Sequence, residues 1–176
     1  ENSLLDQEAL IRGTSIYMLG RVIPMLPREL SNGICSLNAG EDRFTLSCSM
    51  EIDKKGKVIS SEIYKGIIKV TERMSYTDVQ KIIDASDEVT LKRYQPYIQE
   101  FKNMEELAII LKNRRIEEGY LNLDIPESKI DLDIDGHVTN ISKYETTFAH
   151  EIIEQFMLTA NETIAEKFFW LEAPFI

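Results

Sequence analysis

Two tyrosines stand where aromatic and cationic side chains could hold a nucleic acid. Tyr17 lies in an apolar run close to Arg12 and Arg21, and Tyr76 follows Arg73 where a strand is predicted to give way to a helix. Aromatic faces stack on bases, guanidinium groups pair with phosphates, and a helix start offers free N–H groups. Both tyrosines would also suit a core from which only the hydroxyl reaches water, so the residues alone leave both interpretations open.

A polar stripe on the last predicted helix carries an imidazole and a carboxylate. His150, Glu154 and Asn161 are separated by four and seven residues, and these spacings return to one face of a helix. A solvated helix face explains the stripe as readily as a binding role does.

The sequence contains no complete catalytic centre. Asp84, Asp87 and Glu88 suit a solvated helix end better than a metal site. The run 131–136 half-resembles a calcium loop, but Ser142 stands at the twelfth position, where such a loop needs Glu. Phosphate-binding glycine loops and the GxSxG and HExxH motifs are absent from the sequence.

Charge is distributed unevenly along the chain. The 176 residues carry 20 Lys and Arg against 30 Asp and Glu, a net charge of -10. Residues 1–70 hold 9 basic and 9 acidic side chains, so the whole deficit lies in residues 71–176. A polyanion binder that works by overall charge neutralisation is therefore disfavoured, and any nucleic-acid site must be local.

The two cysteines and the lack of long apolar runs point to a reducing, cytoplasmic setting without a membrane anchor. Cys35 and Cys48 lie in apolar contexts without CxxC spacing, which favours buried thiols over a disulfide or a metal site. No stretch approaches eighteen apolar residues.

Periodicity predicts helices and hairpins in one α+β unit over residues 1–176, and the individual elements can be placed. A short helix is predicted over 4–12, a buried extended run over 16–27, and a half-buried hairpin over 43–70 with its turn at 53–57. Two helices are predicted from Tyr76 to Gly119, with Ser75 or Thr77 as the first cap. A smaller hairpin over 130–138 and a long helix over 145–172 complete the prediction. On the last helix the predicted core stripe is apolar: Phe148, Ile152, Ile153, Phe156, Met157, Ala160, Ile164, Ala165, Phe168 and Phe169. These antiparallel hairpins are expected to pack against the helices.

Several phrases in order along the chain resemble one family. They are Arg12–Pro27 (RGTSIYMLGRVIPMLP), Leu30–Asn38, Arg43–Ser47, Arg73–Tyr76, Gly119 ahead of Asp124–Glu127, and His150–Glu154 with Met157 and Ala160–Asn161. The chain resembles the central part of the RNB catalytic domain of the ribonuclease R and ribonuclease II family. The resemblance covers nearly the whole chain.

The resemblance implies an activity and roles for three residues. Such enzymes degrade single-stranded RNA processively from the 3′ end to nucleoside 5′-monophosphates, with Mg²⁺ held by a cluster of aspartates. Tyr17 matches the aromatic residue that stacks on the last bases, and Tyr76 and Glu154 match the pair that contacts the terminal nucleotide and its ribose. A phenol and a carboxylate are apt readers of a 2′-hydroxyl, which both donates and accepts hydrogen bonds.

Departures from the family pattern are equally specific. The family's aspartate cluster precedes the Arg12–Pro27 phrase and its arginine motif follows Asn161, and neither lies in this sequence. Gly20 stands where an Asp is frequent, and Leu123 lies where a second clamping aromatic is common, a role that Tyr120 could take. We therefore expect this stretch alone to bind no Mg²⁺ and to be inactive.

Two other interpretations stay open beside that of an exoribonuclease fragment. One is a non-catalytic RNA-binding or regulatory relic of the same fold, and the other is a structural interaction domain. Both ends look cut, because the chain opens without Met and stops in an apolar phrase. Core faces of the 42–70 hairpin and the last helix would then be exposed, and self-association is expected.

Overall fold

Residues 2–121 and 127–173 are described by a computed structural model, which confirms the α+β class. Three antiparallel two-stranded sheets accompany five α-helices in these residues, including a long C-terminal helix. Described residues from the ranges 1–45, 67–73 and 125–144 form a first unit, and those from 46–66, 74–124 and 145–176 form a second. The single domain expected over residues 1–176 stays a prediction.

The first unit begins with helix α1 (Leu4–Arg12), as predicted. Ser3 Oγ accepts the N–H of Asp6 at 3.2 Å, which satisfies one of the open donors of the first turn. Gly13 ends the helix with φ +67°, a conformation that glycine adopts without steric cost, and its N–H donates to Ala9 O at 2.9 Å.

A short hairpin follows, and its burial differs from the expectation. Strands β1 (Ile16–Met18) and β2 (Arg21–Ile23) pair antiparallel, with Tyr17 opposite Val22. All six residues are exposed, so the prediction of a buried extended run was wrong here. A ribbon of two three-residue strands is too short to form a sheet with a covered face.

The second hairpin, β3 (Asp42–Ile52) with β4 (Val58–Lys69), contributes residues to both units. Its turn is closed by Asp53 N–H donating to Lys57 O at 2.9 Å. The predicted half-buried face holds only near this turn, because Phe44 is 89% exposed and Leu46 is also exposed. The self-association expected through this hairpin stays a prediction.

The small hairpin predicted over 130–138 is present in the first unit. Strand β5 (Ser128–Leu132) pairs with β6 (Val138–Lys143), and the register shifts between Asp131 and Leu132. A short helical turn, Glu29–Ile34, also belongs to this unit.

Three α-helices replace the two that were predicted between Tyr76 and Gly119. They are α2 (Tyr76–Ile83), α3 (Glu88–Arg93) and α4 (Ile98–Glu117), with a single turn of 3₁₀-helix at Gln95–Tyr97. Ala85 at φ +49° separates α2 from α3. Ser75 Oγ accepts the N–H of Asp78 at 3.1 Å, which settles the choice of the first cap.

The acidic residues between these helices are caps. Asp84 is the C-cap of α2, and Asp87 is the N-cap of α3, where it accepts the N–H of Thr90 at 3.1 Å. That hydrogen bonding, led by the side chain of Thr90, lowers the pKa of Asp87.

The core of the second unit lies where α2, α4 and α5 (Phe148–Trp170) pack together. Its buried apolar side chains are Ile82, Tyr94, Ala108, Leu111, Ala149 and Ile152. The apolar stripe predicted for α5 holds in part, because seven of its ten residues are buried or half-buried, whereas Ile153, Met157 and Phe169 are exposed. The fully buried line beyond Ile152 is polar, and consists of Gln155, Thr159 and Thr163.

A buried arginine on α4 supplies partners for the first two residues of this polar line. Arg115 donates to Gln155 Oε1 at 3.0 Å and to Thr159 Oγ1 at 3.1 Å, and it also pairs with Glu162. Buried polar groups need partners, and one guanidinium supplies several donors.

Both cysteines are free thiols, as predicted. Cys48 is half-buried. Cys35 is exposed, so its predicted burial was wrong. It caps the helical turn Glu29–Ile34, in which no residue is buried.

Candidate nucleic-acid interface

Tyr76 and His150 form a stacked aromatic pair in the second unit. Their ring centroids lie 3.9 Å apart and the ring planes differ by 18°. Tyr76 is the first residue of α2, and His150 is in the first turn of α5. The phenol of Tyr76 is 44% exposed, so part of the pair faces solvent.

Side chains cap the start of α5 and tie it to α2. His150 Nδ1 accepts the backbone N–H of Thr147 at 3.1 Å, and Gln80 Oε1, from α2, accepts that of Ala149 at 3.0 Å. Gln80 is oriented in turn by donating to Asp84 Oδ1 at 2.9 Å. These bonds satisfy open N–H groups of the helix end and fix the position of α2 beside it.

Glu154 lies one turn beyond His150 on α5 and contacts a second tyrosine. Its Oε1 accepts the hydroxyl of Tyr120 at 3.2 Å. The negative charge of Glu154 raises the pKa of Tyr120, with smaller contributions from burial and from the hydrogen bond itself. The positive charges of Arg115 and Lys112 act in the opposite direction.

We call Tyr76, His150, Glu154 and Tyr120 the α5 cluster. Glu154 is exposed, and Tyr120, like Tyr76, is partly so. Such a group offers an aromatic face, phenol hydroxyls that donate or accept, and a carboxylate with further acceptor capacity. It can therefore bind a sugar hydroxyl beside a planar ring.

His150 thus links Tyr76, which stacks on its ring, to the helix that carries Glu154. The polar stripe predicted on the last helix already included His150. The structure adds Tyr120, which sequence reasoning had named only as a substitute aromatic. The signal for the role of His150 is its position three residues after Thr147, where capping side chains commonly reach back.

The remaining predicted RNA contacts belong to the first unit. Tyr17 is 80% exposed on the β1–β2 hairpin, and Arg21 and Arg73 are also exposed. Arg12 is already engaged, because its Nε pairs with Glu8 Oε1 at 2.8 Å and its Nη1 donates to Pro24 O at 3.0 Å.

The described residues offer one candidate cluster of metal ligands. Within 2–121 and 127–173, the one group of possible ligands is Asp133, Asp135 and His137, whose ligand atoms lie within 4.8 Å of one another. Asp133 Oδ1 already accepts the N–H groups of Asp135 at 3.0 Å and His137 at 2.8 Å, which closes the β5–β6 turn.

Turn formation accounts for that aspartate without a metal. Asp53 Oδ1 accepts the N–H groups of Lys55 and Lys57 at 2.8 and 2.9 Å in the other hairpin, and there the same bonds lower its pKa. Mg²⁺ demands near-octahedral oxygen ligands, so an exposed turn with one committed carboxylate oxygen and an imidazole does not fit it.

Part of the sequence pattern falls outside the described residues. Leu123, and the Asp124–Pro126 part of the Asp124–Glu127 phrase, lie there. Among the described helices, none combines the length and apolar character needed to cross a bilayer.

The chain belongs to the RNB domain family, whose model matches residues 1–176. Among curated relatives, ribonuclease R 1 of Lactococcus lactis subsp. lactis is 47% identical over 176 residues, covering 100% of this chain and 21% of that protein. Ribonuclease R of Thermotoga maritima is 44% identical over 177 residues, covering 100% of this chain and 25% of that protein. The chain thus spans about a quarter or less of the length of these relatives.

Solved structures of Mycoplasma genitalium RNase R have the same fold. Its complex with ribose methylated single-stranded RNA gives a TM-score of 0.89 and its complex with double-stranded RNA gives 0.90, both at 30% identity. Each match covers 98% of this chain, and 27% and 30% of those chains respectively. These matches confirm both the family resemblance and the fold class.

Proposed function

We propose that this chain is the central portion of the catalytic domain of a 3′-to-5′ exoribonuclease. The intact enzyme would degrade single-stranded RNA processively to nucleoside 5′-monophosphates. The observation that carries the proposal is the exposed α5 cluster in a chain that matches the RNB family from end to end. The RNA-bound structures of M. genitalium RNase R support the choice of RNA as ligand.

Within this proposal, Tyr76 and Glu154 contact the terminal nucleotide. Glu154 keeps acceptor capacity after its bond from Tyr120 and can accept a 2′-hydroxyl, while the Tyr76 hydroxyl can donate or accept. A deoxyribose would leave these groups without that partner, so the cluster would favour RNA over DNA.

Tyr17, Arg21 and Arg73 are proposed as further RNA contacts. An exposed phenol ring at Tyr17 suits stacking on the last bases, and exposed guanidinium groups suit phosphates. Arg12 belongs to the same set, although its bonds to Glu8 and Pro24 leave it fewer donors for phosphate.

Cleavage would depend on Mg²⁺ held by aspartates outside this sequence. We therefore expect the 176-residue chain to leave RNA uncut when it is assayed alone.

A graft tests the activity directly. Residues 1–176 would replace the matching segment of L. lactis ribonuclease R 1, and the chimera would be given 5′-labelled single-stranded RNA with Mg²⁺. We expect mononucleotides and one short labelled remnant. A chimera that folds and binds RNA but leaves it intact would favour the non-catalytic relic, and one that does not bind RNA would favour the interaction domain.

Tyr17→Ala in this chimera tests the stacking role. Loss of one base–aromatic contact is expected to weaken binding of the final nucleotides roughly tenfold and to change the length of the shortest product. The matched control is Tyr64→Ala, another exposed strand tyrosine whose hydroxyl contacts Ser49 Oγ at 3.1 Å. An unchanged remnant in Tyr17→Ala, or an equal change in both variants, would remove Tyr17 from the site.

A further inference from the structure

One residue of the α5 cluster has a structural task and a ring contact at once. His150 Nδ1 accepts the N–H of Thr147, which caps α5, and its ring lies 3.9 Å from that of Tyr76 in a nearly parallel stack. The cap fixes the imidazole ring, and the ring in turn gives the phenol a flat surface to pack on.

We propose that His150 is a specificity-determining positioning residue, which holds the ring of Tyr76 beside Glu154 so that both contact the terminal ribose. This inference rests on the proposed function. Glu154 is four residues further along the same helix, and i and i+4 side chains lie next to each other on a helix surface. The imidazole on which the phenol packs therefore lies beside Glu154 on the surface of α5.

The surroundings of His150 support this role. The Gln80 side chain, on α2, accepts the N–H of Ala149 at the start of α5. This bond fixes α2, which carries Tyr76, against the start of α5, which carries His150. The backbone positions are therefore set without the stack. What the stack adds is a packing surface that favours one rotamer of the partly exposed Tyr76 side chain.

Two substitutions separate the cap from the stack. His150→Gln keeps a side-chain acceptor at the capping position, where Gln is a common capping residue, but removes the aromatic face. His150→Phe keeps an aromatic face but removes the acceptor. A purely structural role predicts that only His150→Phe has an effect, whereas a positioning role predicts a functional effect of His150→Gln.

The first measurement uses the 176-residue chain. Ring protons of Tyr76 in the NMR spectrum are expected to move towards unstacked values in His150→Gln and to stay near the wild-type values in His150→Phe. The melting temperature should fall only in His150→Phe. A Tyr76 ring that is unaffected by His150→Gln would overturn the proposal.

The second measurement uses the L. lactis chimera. The ratio of kcat/KM for RNA to that for DNA of the same sequence is expected to fall about 3- to 10-fold in His150→Gln, in line with the contribution of one aromatic pair. It should stay near the wild-type ratio in His150→Phe. An unchanged ratio in His150→Gln, with the Tyr76 ring shifted, would overturn the specificity role and leave the exoribonuclease proposal standing. A chimera without any nuclease activity would refute the proposed function, and this inference with it.

Discussion

Helix α5 carries polar side chains on a buried face and on an exposed face, and burial gives the two faces different roles. On one face, Gln155 is 3% exposed and Thr159 is buried beside it, and both bond to Arg115. On the other face, Glu154 is exposed and its bonding partner Tyr120 is partly exposed. The same kinds of polar side chain thus stabilise the fold on one side and remain available to a ligand on the other.

The difference follows from the cost of unpaired polar groups. A buried acceptor that loses its donor cannot recover a bond from water, whereas an exposed one can. The buried face therefore has its partners built in. The exposed face can exchange water for a hydroxyl of a bound molecule, which suits it to binding.

The largest expected effect is on the buried face. Arg115→Met keeps the apolar bulk of the side chain but removes the donors to Gln155, Thr159 and Glu162. We expect the free energy of unfolding to fall by about 2–3 kcal/mol, because Gln155 loses its donor in a dry environment. Glu162 is half-exposed and keeps its ion pair with Arg114 Nη2 at 3.5 Å, so it adds little. Urea denaturation followed by the helical circular dichroism signal measures the change.

Glu154→Gln is the matched control on the exposed face. A surface substitution of this kind is expected to change the free energy of unfolding by no more than about 0.5 kcal/mol. If the two variants destabilise the protein equally, the distinction between the faces is wrong.

The next largest effect concerns function, where the exposed face matters more than the buried one. In the L. lactis chimera, Glu154→Gln is expected to reduce the preference for RNA over DNA roughly tenfold, because a hydrogen bond to a charged group contributes more than one to a neutral amide. Tyr76→Ala is expected to act in the same direction. Parallel assays on both nucleic acids measure the ratio, and an unchanged ratio in both variants would exclude these two residues as ribose readers.

The local elements could be predicted because their signals are local. Ser3 and Gly13 bound α1, and the two Asp-x-x-Gly turns define the hairpins that contain Gly56 and Gly136. In each turn the glycine has a φ near +80°, which few other residues tolerate. These features need no information from distant parts of the chain.

The core of α5 could not be predicted in the same way. Its buried Gln155 and Thr159 depend on Arg115, which is 40 residues away from Gln155 in the sequence. Periodicity alone assigns the apolar side chains to the interior, so Met157 and Phe169 were expected inside and are exposed. A buried cation on a neighbouring helix changes which face is favourable to bury, and no pattern within α5 records it.

The candidate site, too, has a part that could be predicted from the sequence and a part that could not. The family resemblance named Tyr76 and Glu154, but the two contacts that hold them come from residues distant in sequence: His150 stacks on Tyr76, and Tyr120 donates to Glu154. Spacing placed His150 on the correct face of α5. It could not show which side chain of another helix would cover the imidazole ring.

The smallest expected effect concerns the pH dependence of the exposed face. The charge of Glu154 raises the pKa of Tyr120 above its ordinary value of 10.0, so Glu154→Gln should lower it towards that value. Glu166→Gln, further along α5, should leave it unchanged, and an NMR titration of labelled tyrosine rings distinguishes the two variants.

Because the folded-state pKa of Tyr120 is raised, the stabilisation by the Tyr120–Glu154 pair is complete below pH 10 and is lost as the pH rises through the folded-state pKa. The stability difference between the wild-type chain and Glu154→Gln should therefore shrink only above pH 10. A difference that disappears near neutral pH would mean that Glu154 acts on stability through some group other than Tyr120.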